Sequence, residues 1–212
     1  MRYTDWLRLF PLLFLISVSS SSSQQCDSSP ALPVYEDADA YEVYSATLPM
    51  DSSYQDSKAV LILQRVPPSE WPIGSPREAL HGDPEFNKTF APIFDSFDKA
   101  NQESRSLEHH FSIPKPYKLL NKDEIDVTFR RRAPNALDDG WGGFREVFPE
   151  SRGYIILSGV GFNADRTLAL VYVEHRCGGL CAAARYYILE KRKGHWAQYK
   201  PKGRVLEMRG VS

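Results

Sequence analysis

The stretch from Gly161 to Trp196, GFNADRTLALVYVEHRCGGLCAAARYYILEKRKGHW, constrains the fold more than any other part of the chain. Leu168, Leu170 and Tyr172 alternate with Ala169, Val171 and Val173, so a strand here is apolar on both faces until Glu174 and must be buried on two sides. Ahead of it, Asn163 to Thr167 supplies small polar turn residues, and Tyr154 to Ser158 is a second β-rich run, which predicts a hairpin. Beyond the cysteines, Arg185 to Glu190 continues the pattern, Lys193-Gly194 marks a tight turn, and His195 to Tyr199 begins another strand. The expectation is an antiparallel meander of four or five strands in the C-terminal half.

Cys177 and Cys181 flank Gly178-Gly179-Leu180 at the bend between two of these strands. In a reducing compartment such a pair is a metal half-site or a redox pair; in an oxidising one it is a disulfide. Residues 1–25 decide between them, because Arg2 and Arg8, the apolar run Leu9 to Val18 and the serines 19–23 have the three-part layout of a secretory signal peptide. That run is short of the roughly 20 residues a bilayer span takes. The chain is therefore expected to be secreted or periplasmic, with Cys177 bonded to Cys181. A thiol oxidoreductase more often opens a helix with its cysteines, whereas Arg185 to Glu190 reads as strand. Cys26 stands where a bacterial lipoprotein carries its lipid, but Gln25 replaces the small residue that such processing takes, so membrane anchoring is the lesser expectation.

After a leader, residues 26–212 suffice for one globular domain, with 26–34 read as a flexible N-terminal segment. Asp39 to Leu48 predicts a helix capped by Asp39, with Tyr41, Tyr44 and Leu48 on one face and Pro49 ending it. Lys58 to Val66 reads as a strand stopped by Pro67-Pro68, followed by an irregular loop anchored by Trp71. Asp83-Pro84 opens a second helix, in which Phe86, Phe90, Phe94 and Phe97 form a core-facing stripe and Pro92 introduces a kink or division. Asn87-Lys-Thr89 matches a glycosylation acceptor. Tyr117 to Leu120 is a short strand candidate, and Asp138 to Phe148 predicts a short helix entered through a tight turn.

The formal net charge is −1, which points away from nucleic acid. Its distribution is uneven. Asp27, Glu36, Asp37, Asp39, Glu42 and Asp51 are the only charged residues between positions 27 and 55, whereas eight lysines and arginines stand against two glutamates from Arg185 onward. Two readings follow: the acidic segment packs beside the basic strands, or the basic strands meet an anionic envelope component.

No nucleophile elbow, phosphate loop or zinc helix motif occurs, and the clustered acids of Asn121 to Asp126 lack the ligand spacing of a calcium loop. His109-His110 cannot readily share one ion from adjacent positions, and Arg130-Arg131-Arg132 reads as a solvated edge. No catalytic residue, metal or cofactor is assigned. Trp141, Tyr172, His175, Tyr187 and Trp196 are candidates to face a ligand, Trp141 by stacking, with plugging the top of the core as its favoured alternative, and the tyrosines and Trp196 on an exposed sheet face. The enzymatic alternative joins His175 to a reduced Cys177 or Cys181 in hydrolysis or thiol-redox chemistry.

In the motifs GFN-x-D-R-T-x-A-L-V-Y-V, C-G-G-L-C and Y-x-L-E-K-x-x-G-x-W the chain resembles an uncharacterised group of exported bacterial proteins, most clearly over residues 140–200. Where their usual form has a further glycine after the second cysteine, this chain has Ala182. The resemblance implies no activity. The final strand-Lys-Gly-Trp pattern is also similar to the last hairpin of cystatin-like and nuclear-transport-factor-like curved sheets. The expected architecture is α+β, with helices from the N-terminal half on one face of the meander, and the expected role is a non-enzymatic binding or structural module of the cell envelope or secreted space.

Overall fold

The strand that is apolar on both faces lies inside the sheet. In a computed structural model that describes residues 31–67, 74–79, 84–131, 140–200 and 207–211, it extends as β7 (Leu168–Gly178). The leader, Cys26, Trp71, Arg132 and the side chains of Phe86 and Asn87 fall outside the described part. On one side β7 pairs antiparallel with β8 (Cys181–Arg192), from Leu168 opposite Glu190 to Gly178 opposite Cys181. On the other it pairs antiparallel with β5 (Tyr154–Leu157) and β6 (Gly161–Phe162). The outer edge of β8 is shared by β9 (His195–Gln198) and β10 (Glu207–Val211). Lys193 and Gly194 connect β8 to β9 with φ of 50° and 83°, the left-handed pair that a two-residue hairpin turn requires.

The meander is as expected, but the sheet does not stop there. Past β5 it continues to β1 (Val60–Leu63) and β4 (Tyr117–Leu120), in the order β10-β8-β7-β5-β1-β4. β1 runs parallel to both neighbours, because a long crossover returns the chain to β4 in the same direction. The single strand expected over Lys58 to Val66 breaks at Gln64. β2 (Arg65–Val66) leaves the sheet and pairs with β3 (Arg105–Ser106).

The α+β class holds, with helices on both faces rather than one. Ala169, Val171, Val173, Tyr187 and Leu189 pack with α1 (Ala38–Thr47) on one side. Leu170, Tyr172, Tyr186 and Ile188 meet Phe90, Phe94 and Phe97 of α4 (Pro84–Ala100) on the other. Further along that second face, Leu61, Leu120, Tyr154 and Ile156 meet Ile125 of α5 (Lys122–Arg130) and Trp141 and Phe144 of α6 (Trp141–Val147). A strand without a polar side exposes apolar area wherever a layer is missing, at a cost of about 25 cal/mol per Å², so both faces are covered.

The helix ends refine the expectations. α1 is capped by Asp37, whose carboxylate accepts from the Ala40 amide; Asp39, the expected cap, lies inside the first turn, where it pairs with Lys191 and shares Arg166 with Asp37. A 3-10 turn over Leu48–Met50 then leads into α2 (Ser52–Asp56), capped by Asp51. α4 passes through Pro92 undivided. Pro92 and Lys88 are both exposed, so the carbonyl that proline leaves without its helical donor is on the solvent side. Arg77 of α3 (Pro76–Ala79) pairs with Asp95 and Asp98 of α4. At the end of α4, buried Asn101 donates to the carbonyls of Phe97 and Gly159 and accepts from the Gly159 amide at 2.7 Å, fixing the β5–β6 connection.

Of the segment 26–34, residues 26–30 lie outside the described part; at its end the Ser106 amide donates to the Pro33 carbonyl and the Tyr35 amide to the Ser106 carbonyl, both at 2.8 Å. The acidic segment does pack beside the basic strands. Arg166 pairs with Asp37 and Asp39, Lys191 with Asp39 and Glu42, and Arg185 with Asp51.

Candidate functional site

A cleft of about 990 Å³ opens at the end of the sheet where β7 turns into β8. Its walls are α2, α6, residues 149–153 leading into β5, and the Cys177–Cys181 hairpin. Two of these walls, α2 and the 149–153 loop, are held from behind.

α2 is fixed at both ends. Buried Asp51 accepts from the Ser53 amide and hydroxyl and from the Tyr187 hydroxyl at 3.1 Å, with the Arg185 guanidinium 3.5 Å away. At the other end, the Lys115 ammonium donates to the carbonyls of Tyr54, Gln55 and Ser57 and sits 4.7 Å from the centre of the Tyr54 ring. It thereby serves the carbonyls that every helix C-terminus leaves without partners.

The loop before β5 is stitched to the segment after α2. The Lys58 and Ala59 amides donate to the Glu150 carbonyl, and the Arg152 amide donates to the Ser57 hydroxyl. Gly153 takes φ 137°, and a Cβ there would lie 2.0 Å from the Arg176 carbonyl oxygen, so the loop closes directly onto β7.

The hairpin is closed by the expected disulfide, with Cα atoms 5.1 Å apart. A register shift between Arg176 and Gly178 precedes it, and Leu180 at the tip is 94% exposed. β8 begins at Cys181 and continues as strand through Ala182, so neither cysteine opens a helix.

His175 lies on β7 between α2 and the 149–153 loop and is 9% exposed. Burial pushes its pKa below the ordinary value of 6.5, against the opposing pull of Asp51, the Arg152 backbone and Asp56. At neutral pH it presents an uncharged imidazole to the cleft. Cys177 lies two residues further on the same strand, but its sulfur is bonded to that of Cys181 and provides no thiolate.

The other candidate residues are dispersed. Trp141 borders the cleft but is 7% exposed, stacked on Tyr154 at 5.9 Å and met edge-on by Phe129 at 4.9 Å, so its ring faces are spent on the core. Tyr172 and Tyr187 are 0% and 1% exposed, on opposite faces of the sheet under α4 and α1. Neither tyrosine faces a ligand: the open sheet face on which that expectation rested is covered. Tyr172 instead donates to buried Glu174, which also accepts from Arg176. Trp196 packs on Phe162 and borders a second hollow of about 730 Å³ that includes Glu36, Glu42, His110 and His195. His109 packs on Tyr117 and His110 on Tyr41, so the pair diverges. Among the described residues no group of three or more His, Cys, Asp or Glu is placed to hold a metal ion.

Sequence reasoning missed Lys58, Arg145 and Arg152, which line the disulfide-end cleft, and Asp51 and Lys115, which hold its α2 wall. Asp51-Ser52-Ser53 has the composition of a helix cap, the one local signal among these. No protein-family model matches the chain, and neither a curated protein nor a solved structure matches it.

Proposed function

We propose that the chain is an exported, non-enzymatic binding module whose ligand occupies the cleft at the disulfide end of the sheet. The observation that carries this reading is the cleft itself, the larger of the two described hollows, two of whose walls, α2 and the 149–153 loop, are anchored from behind. Preorganised walls lower the ordering cost of holding a ligand. The disulfide supports an oxidising compartment, and the leader-like layout of residues 1–25 supports export. Among the described residues no helix is long and apolar enough to cross a membrane.

The test is a screen of neutral fragments against the 15N-labelled protein, read by amide shifts. Saturable shifts confined to Ser53, residues 151–153 and residues 177–183 support the reading. Saturable ligands that leave these amides unmoved overturn it. So does turnover of ester, peptide or disulfide substrates that is lost in His175→Ala, which would install the hydrolase or thiol-redox alternative built on His175.

A further inference from the structure

Two sets of basic side chains in this fold contrast. Arg166, Arg185 and Lys191 are paired with the N-terminal acids. Lys58, Arg145 and Arg152 converge on the disulfide-end cleft, and among the described residues none of the three makes an ion pair. The Arg145 guanidinium reaches over the hairpin, donating to the Cys177 carbonyl at 3.4 Å. That single long bond leaves most of its donor fork open.

Guanidinium groups present fixed pairs of donors that match the two oxygens of a carboxylate or phosphate. Two arginines and a lysine at one concavity therefore point to an oxyanion. Asp56 and Glu150 also border the cleft, so its charge exceeds neutrality by one, which disfavours a polyanion and fits a ligand with a single anionic group. Leu180, exposed on the same rim, offers apolar contact to the rest of such a molecule.

We infer that the cleft holds a small ligand bearing one oxyanion group, engaged by Arg145 and Arg152, with Lys58 adding attraction and an apolar body lying along Leu180. This rests on the cleft being the binding site. The experiment titrates the 15N-labelled protein with benzoate, phenyl phosphate and inorganic phosphate, and separately with phosphatidylglycerol vesicles. Saturable shifts of the Arg145 and Arg152 side-chain N–H signals and the Leu180 amide by benzoate or phenyl phosphate are expected. The joint substitution R145Q/R152Q should weaken binding tenfold or more, with the thermal midpoint confirming its fold, while K193Q/K200Q should change it less than twofold. Raising salt from about 50 to 200 mM should also weaken it.

Absence of binding by the soluble anions, or binding indifferent to R145Q/R152Q, overturns the inference; if neutral fragments still bind the cleft, the binding role survives without it. Inorganic phosphate binding as tightly as phenyl phosphate removes the apolar body. Binding to vesicles alone replaces the small ligand with a lipid surface.

Discussion

Tyr187 donates its hydroxyl to the Asp51 carboxylate across 3.1 Å, joining the middle of β8 to the first turn of α2 inside the core. Both groups are almost fully buried, and Asp51 is also the helix cap. Burial and the neighbouring carboxylate push the Tyr187 phenol up to about 12, so it stays a donor through the physiological range. Tyr187→Phe keeps the ring and removes the donor. Asp51 retains Ser53 and Arg185, so the expected loss is about 1 to 2 kcal/mol, measured from the denaturant midpoint at unchanged slope. Amide exchange should quicken in α2, because that is the element the bond holds.

Removal of the Cys177–Cys181 bridge by paired substitution to serine frees a hairpin closed over a sequence separation of only 4. The chain-entropy estimate for so small a loop is about 2 kcal/mol. Faster amide exchange should be confined to the β7–β8 tip, since Leu168 to Arg176 keeps its pairing with Ala182 to Glu190. Unfolding of the whole domain on reduction would show that the bridge carries more than the hairpin.

What was legible in the sequence is what repeats locally. The two-faced alternation of Leu168 to Val173, the phenylalanines at helical spacing from Phe90 to Phe97 and the turn at Lys193-Gly194 each follow from a period or a turn residue. The parallel pairing of Val60 with Tyr117 was not legible, because register between strands so far apart is set by the crossover and not by either strand. Asp39 and Asp37 are equally good caps on paper; the helix starts after Asp37, which caps it, and Arg166, distant in sequence, pairs with both carboxylates. In the site, His175 and the cysteines were found because they adjoin one another in the chain. Lys58, Arg145 and Arg152 come from three separate segments, and each alone reads as a solvated charge. Tyr172 and Tyr187 were misplaced because strand alternation gives the side of a residue and not whether that side is covered.

His175 sets a pH dependence with a definite sign. Its folded pKa lies below 6.5, so on the acid side of 6.5 the unfolded chain binds a proton that the folded chain resists. The stability of the neutral, buried form is complete above pH 6.5 and is lost as pH falls from there through the folded value. His175→Gln cannot take up that proton. Its stability curve should be flatter than that of the parent between pH 7 and 5, compared by urea unfolding at constant salt. Parallel curves for the two proteins would mean that His175 is not shielded from water.

Gly153 is the position at which one added methyl group should do most damage to the cleft. Its φ of 137° is outside the range L side chains ordinarily adopt, and a Cβ would stand 2.0 Å from the Arg176 carbonyl oxygen and 2.9 Å from the Cys177 Cα. Those contacts are with backbone, so no side-chain rotation relieves them. Gly153→Ala is expected to cost about 3 kcal/mol or more, combining backbone strain with displacement of the 149–153 loop from β7. Gly194→Ala is the matched control: its φ of 83° carries a similar conformational penalty, but nothing lies within 4 Å of the added carbon, so its cost should stay near 1 to 2 kcal/mol, about that of the backbone alone. Thermal midpoints give the difference between the two variants. Amide shifts at His175 and residues 177–183 in Gly153→Ala alone would show that the loop and the hairpin move together, whereas equal midpoints and an unshifted hairpin would mean that the loop closes on β7 less tightly than this contact requires.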